Sequence, residues 1–353
     1  MAHLSLTRRS LLGGLAAGAC VAGAGRAAAQ EDEGPGGPQG SRPVQVNVRA
    51  LPHFQPSRPG VRRFGDLEYR GGLVLSSPSE HFGGWSGLVM DGDGKRLLSV
   101  SDIGSWMTAE VEHDEAGAPT RLAHARVGPL LAQRGRPLRD KREQDAEAVT
   151  LLDGSLERGT LLIGFERLHR IGRFPVRGGA VQAPSDYIER PAEARRMPTN
   201  QGFEAVAVLP AGPLKGSIVA FAERYTRGSG YHTGWIWTGG QAQRFQLQDT
   251  DGFDITDAAG LPDGSLLVLE RHFRWFSGVQ MRIRRLRPGE MRPGARLTGH
   301  TVLQADSGHE VDNMEGMAVH RGARGETVVS LISDNNFRTF LQRTVFLQFT
   351  LVE

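Results

Sequence analysis

Glu147-Ala148-Val149-Thr150-Leu151-Leu152, a turn at Asp153-Gly154, then Leu161-Leu162-Ile163-Gly164-Phe165-Glu166 is the stretch that decides the fold. Two short apolar runs, each bounded by an acid, flank a turn in which glycine takes positive φ without steric cost. Runs of this length, rich in Val, Leu and Ile, indicate strands rather than helices. The phrase recurs. Glu204-Ala205-Val206-Ala207-Val208-Leu209 precedes Ser217-Ile218-Val219-Ala220-Phe221-Ala222-Glu223. Asp257-Ala258-Ala259-Gly260-Leu261 precedes Ser265-Leu266-Leu267-Val268-Leu269-Glu270, and Glu315-Gly316-Met317-Ala318-Val319 precedes Thr327 to Asp334. A weaker copy, Ser86-Gly87-Leu88-Val89-Met90 then Arg96 to Asp102, stands upstream.

The copies are 53 to 61 residues apart, a period that marks a stacked or radial array. Small antiparallel sheets repeated radially make a β-propeller, whose blades have four strands each. Five copies predict five blades, and the generous period leaves room for a sixth. A linear solenoid is the competing architecture. After the last hairpin one long strand remains, Arg343 to Val352, and the segment from Phe64 to Leu75 has no blade of its own. Joining these chain ends in one blade would close the ring.

In an antiparallel hairpin the first residue of one strand lies beside the last residue of the next. Glu147 is therefore expected near Glu166, Glu204 near Glu223, Asp257 near Glu270 and Glu315 near Asp334, with Asp102 closing the weak copy. Around an axis these carboxylates gather at one mouth, where they need raised pKa values, arginine partners or a hard cation. Arginine follows the closing acid three times, as Arg167, Arg224 and Arg271. An all-oxygen donor set suits Ca²⁺, and the absence of repeating His or Cys speaks against zinc or copper. The same acids could instead accept backbone N–H groups from neighbouring repeats. His272 and His232 are weaker candidates, as general acids or as ordinary loop histidines. Ser86 lacks the Gly-x-Ser-x-Gly context of a hydrolase nucleophile.

The first 29 residues carry Arg8-Arg9 before Ser10-Leu11-Leu12, an Ala/Gly-rich stretch and Ala27-Ala28-Ala29, the pattern of a twin-arginine export signal. The expected location is periplasmic or secreted. The apolar stretch is too short and Gly-rich for a membrane span. Cys20 could be acylated only in an unusual context, since Ala17 replaces a larger aliphatic residue. Removing Arg8, Arg9 and Arg26 leaves 39 basic against 39 acidic residues, so the formal charge of +3 belongs to the signal and makes no case for nucleic-acid binding. Residues 30–43 are Gly/Pro-rich and read as a disordered tail, leaving 44–353 as one all-β domain.

Gly84-Trp85-Ser86-Gly87-Leu88, Ser101-Asp102, Asp145-Ala146-Glu147-Ala148-Val149, Gly202-Phe203-Glu204-Ala205-Val206, Glu270-Arg271 and Asn313-Met314-Glu315-Gly316-Met317 together resemble a bacterial family described as having the esterase-like activity of phytase. The resemblance runs from Phe82 to Phe337. It implies a propeller fold, export, and hydrolysis of phosphate esters or other esters; a monomer acting on a small molecule is expected. Propeller phytases hold clustered Ca²⁺ with carboxylates. By the hairpin geometry, Glu147, Glu204, Asp257 and Glu315, with Asp102, Glu166, Glu223, Glu270 and Asp334, would hold Ca²⁺. Arg167, Arg224 and Arg271 would bind phosphate through guanidinium forks. A Ca²⁺-dependent lactonase or carboxylesterase, and a non-catalytic binding propeller, are the alternatives.

Overall fold

A computed structural model describes residues 40–199, 201–222, 225, 227–274 and 278–352. The export signal and most of the expected tail lie outside the described residues, as do Glu223 and Arg224.

Five small sheets follow one another along the chain. Each begins with an innermost strand: Trp85–Met90, Ala146–Gly154, Phe203–Val208, Asp254–Gly260 and Met314–Arg321. Each then steps outward through antiparallel neighbours. These are blades one to five of a five-bladed propeller. Every innermost strand packs on those of the blades before and after it, and the fifth packs on the first.

The apolar residues make five buried clusters, each between one pair of adjacent blades. Val100, Trp106, Ile163 and Phe165 join blades one and two, whereas Leu162, Phe203 and Trp235 join two and three. Phe221, Phe245 and Val268 join three and four, and Leu269, Leu331 and Phe349 join four and five. Trp85, Leu97, Met107, Ile332 and Phe346 join five to one. That last core excludes the solenoid, whose ends do not meet, and leaves no place for a sixth blade. Burial on both faces also explains why strands such as Leu266 to Leu269 are apolar without alternation.

Closure uses both chain ends. Leu67–Ser76 pairs antiparallel with Thr344–Leu351 inside blade five, and Asn47–Leu51 adds the outer strand. The Tyr69 hydroxyl donates to the Leu51 carbonyl at 2.7 Å. Arg42 and Pro43, assigned by composition to the tail, instead pair with Val127 and Arg126 at the edge of blade one. The folded domain thus starts earlier than composition alone indicates.

The seam between blades five and one also holds a directional polar chain. His113 Nε2 lies 2.9 Å from Gln348 Oε1, Gln348 Nε2 donates to Ser330 Oγ at 3.1 Å, and His320 Nε2 lies 3.0 Å from the same hydroxyl. His320 Nδ1 faces the Arg321 carbonyl, so the neutral tautomer satisfies every member. Burial lowers the His320 pKa to about 4 and lowers that of His113. A histidine depressed in the folded state contributes stability above its unfolded pKa of about 6.5, and that stability is lost as pH falls toward 4. We predict up to about 3 kcal/mol lost from His320 alone across this window. Thermal melts at pH 7 and pH 4.5 measure it; His320→Gln should show a smaller difference between them than wild type.

Candidate metal centre at the propeller mouth

One irregularity repeats in every blade. Near its start each innermost strand carries a β-bulge, with the extra residue at Ser86, Glu147, Glu204, Thr256 and Glu315. A bulge re-aims the side chain it displaces, which is how one position in each blade comes to face the mouth. The residue after it is Gly87, Ala148, Ala205, Asp257 or Gly316. Four of the five are Gly or Ala because the innermost strands approach closely here. A methyl group on Gly316 would stand 2.7 Å from Ile332 Cγ2 and 2.9 Å from the Gly87 carbonyl carbon.

Asp257 is therefore displaced by one residue from the position expected of it. Thr256 occupies the bulge, donating to the Met314 carbonyl at 3.1 Å. Asp257 is wholly buried and accepts from Met317 N at 2.7 Å and Ala258 N at 2.8 Å. The Leu88 N–H adds a third backbone donor. Its carboxyl thus pins blade four to blades five and one, and burial pushes its pKa well above the usual range. Glu270 is likewise not at the mouth. It is buried between Arg282 and Arg284, accepting from Arg282 Nε at 2.7 Å and from Arg284 Nε at 2.9 Å. A carboxylate shared by two guanidiniums has little left to offer a cation.

The remaining acids converge. Asp145, Glu147 and Glu166 place ligand oxygens within 4.8 Å of one another. Burial and the surrounding acids Asp145, Asp102, Glu166 and Glu315 raise the Glu147 pKa well above the ordinary glutamate value. Those neighbours come from blades one, two and five. Asp334 is pushed up to about 8 by burial, then by Glu315 and Asp102. Glu204 occupies the equivalent bulge of blade three.

Three cations answer these acids among the described residues. Lys141 Nζ binds Asp102 Oδ2 at 2.7 Å and Asp145 Oδ1 at 2.5 Å. It stands on a one-turn helix, Lys141–Gln144, capped by the Asp140 side chain. Arg167 Nε binds Asp145 Oδ2 at 2.6 Å. Arg271 Nη1 crosses from blade four to Glu315 Oε1 at 2.7 Å and also meets Asn313. Two of the three arginines expected to bind phosphate are thus paired with carboxylates.

Lys141 and Asp145 were not anticipated as site residues. Asp145 had a legible signal, since it stands two residues before Glu147 at the entry to the same strand. Lys141 lies in a polar connection without pattern. His272, the candidate acid, is held away from the acids: Nδ1 faces the Gly252 carbonyl at 2.7 Å and Nε2 accepts from Arg274 Nε at 2.9 Å. His232 is buried beside Asp249, 4.0 Å away.

The donor set fits a hard divalent cation. Asp102 Oδ1 is buried without a hydrogen-bond partner, a costly state for a carboxylate unless something positive meets it. The acids of the cluster offer oxygen ligands, the chemistry of Ca²⁺, Mg²⁺ or Mn²⁺ rather than zinc or copper.

Residues 80–337 match the phytase-like family described as "esterase-like activity of phytase". The chain belongs to that family. No curated protein matches it. Among solved structures, Chaetomium thermophilum Raptor is similar at 11% identity and a TM-score of 0.38, over 83% of this chain and 28% of that one. The chain spans under a third of that protein, and a likeness this distant carries no argument about function. Among the described residues of this phytase-like protein no helix is long and apolar enough to cross a membrane.

Proposed function

We propose that the mouth is a divalent-cation site, calcium being the cation its oxygen donors suit best, and that the protein hydrolyses uncharged esters of the carboxylic ester or lactone class. The observation that carries this is the convergence of carboxylates from three blades. Asp145, Glu147 and Glu166 place ligand oxygens within 4.8 Å of one another, and Asp102 and Glu315 bear on the same cluster. Such a site attracts a cation and repels a polyanion. A phosphate-ester reading stands second. It is favoured by the partial exposure of Arg167 and Arg271, which could reach an anion from the rim of the cluster.

In this reading Asp102 Oδ1, Glu147 and Glu166 hold the ion. When bound, a divalent cation polarises the ester carbonyl and lowers the pKa of water. Lys141, Arg167 and Arg271 fix the orientation of Asp102, Asp145 and Glu315 around it. A carboxylate of the cluster that does not hold the ion is the base suited to take a proton from the attacking water. The same carboxyl returns it to the leaving alkoxide. The twin-arginine pattern supports a periplasmic or secreted location for this activity.

The test is a substrate panel on the purified protein, with 4-nitrophenyl acetate, a γ-lactone, 4-nitrophenyl phosphate and phytate, each with and without chelator. Carboxylic ester or lactone hydrolysis should disappear with chelator and return with Ca²⁺. Faster turnover of the phosphate esters, or indifference to chelator, would overturn the proposal.

A further inference from the structure

Seven large apolar side chains stand exposed among the described residues, and six of them lie in segments that follow residues of the mouth in sequence. Ile103 follows Asp102, Leu168 follows Arg167, and Phe273 lies two residues beyond Arg271. Phe337, Phe340 and Leu341 share the connection after Asp334, with Phe340 97% and Leu341 73% exposed. Single exposed apolar residues need no explanation, whereas a set that follows the residues of one acidic site does.

The connection after Asp334 is built rather than slack. Asn336 and Phe337 both take left-handed backbone, φ 48° and 52°, a conformation disfavoured for a bulky side chain. The surroundings impose it. Asp334 Oδ1 accepts from Asn336 N at 2.7 Å, and the buried Asn335 Oδ1 accepts from Phe337 N at 3.1 Å and from Gly84 N of blade one at 3.3 Å. Arg338 N closes the turn on the Asn335 carbonyl at 2.7 Å. The result wedges the Phe337 ring against Gly84. A methyl group there would collide with both that ring and Asp102 Oδ1, the unpartnered oxygen of the cation site. The apolar arm and the candidate site are therefore contiguous.

We infer that this arm, Phe337 with Phe340 and Leu341, binds the hydrocarbon part of the substrate, so that the preferred esters carry a medium-length alkyl or acyl chain. The inference rests on the ester-hydrolase reading for its chemistry and adds the substrate class. Two points favour a substrate chain over other occupants. The arm offers two fully presented side chains, far short of the roughly 1,200 Å² a stable dimer buries. The acids beside it would repel an anionic membrane surface while leaving a neutral chain unaffected.

Two measurements on the full protein test this, comparing wild type with Phe340→Ser/Leu341→Ser, whose exposed side chains contribute nothing to the core. In the first, equilibrium dialysis compares 4-nitrophenyl octyl ether with 4-nitrophenyl ethyl ether, neutral probes that cannot be hydrolysed. Wild type should hold the octyl ether about tenfold more tightly, and the double variant should lose most of that gap. The second is kcat/KM on 4-nitrophenyl acetate, butyrate and octanoate with Ca²⁺, which should rise with chain length in wild type and flatten in the variant. No octyl preference in wild type, or an equal one in the variant, overturns the inference whatever the enzyme activity. An octyl preference without any hydrolysis supports the arm as a ligand site and removes the catalytic reading instead. Loss in the variant of a wild-type dimer on gel filtration, or of wild-type binding to phosphatidylcholine vesicles, with no effect on the ether gap, also overturns it.

Discussion

Glu147→Gln should abolish cation-dependent ester hydrolysis, by at least about a hundredfold in kcat/KM, while raising the melting temperature of the metal-free protein. The two effects have one cause. Glu147 is buried among Asp145, Asp102, Glu166 and Glu315, and no described residue hydrogen-bonds or ion-pairs with its carboxylate. Its pKa is raised in the folded state, so the stability linked to it is full below the unfolded value, about 4.5, and is lost as pH rises through the folded value. Once pH has risen through that folded value, the metal-free protein carries an uncompensated charge that glutamine removes without changing the shape. The melting temperature should rise by a few degrees at pH 8 and hardly at pH 4.5. Calcium should raise the wild-type melting temperature and leave the variant where it was. A variant that melts lower than metal-free wild type at pH 8 would show that Glu147 is a structural acid.

Asp257→Ala should be strongly destabilising, costing about 3–5 kcal/mol. Removing the side chain orphans the N–H groups of Met317 and Ala258, and the Leu88 donor with them, at a place where five innermost strands meet. Each buried unsatisfied donor costs about 1–3 kcal/mol. The position cannot be refilled by a larger apolar residue, because its counterparts in the other blades are Gly87, Ala148, Ala205 and Gly316. Asp257→Asn, which keeps one acceptor, should cost less than half as much. Urea unfolding separates the two. Whatever fraction of either variant folds should bind calcium as wild type does, since Asp257 supplies no oxygen to the mouth.

Asp257 also shows where sequence reading stops. Blade number, hairpin turns and the sharing of one blade by both chain ends are all visible in period, apolar runs and Asp-Gly pairs. So is the approach of Glu147 to Glu166, which follows from antiparallel pairing alone. A one-residue bulge leaves no such mark: Asp257 aligns by eye with Glu147, Glu204 and Glu315, yet Thr256 holds the bulge and Asp257 turns to the opposite face. Glu270 closes its apolar run in the same pattern as Glu166, but Arg282 stands directly across the ladder from it and Arg284 two residues along. Those partners come from the next strand and cannot be read from the hairpin itself. Lys141 and the Asn335 clasp on Gly84 belong to connections, where tertiary contact rather than periodicity sets position.

The most direct measurement is an isothermal titration of calcium into the metal-free protein, repeated with Glu147→Gln and with Asp102→Asn. These two side chains come from different blades, 45 residues apart in sequence, so only convergence at the mouth can make both matter to one ion. A single saturable site in wild type, weakened at least tenfold by either substitution, is the predicted result. Binding of unchanged affinity in both variants, or none in wild type, would contradict it.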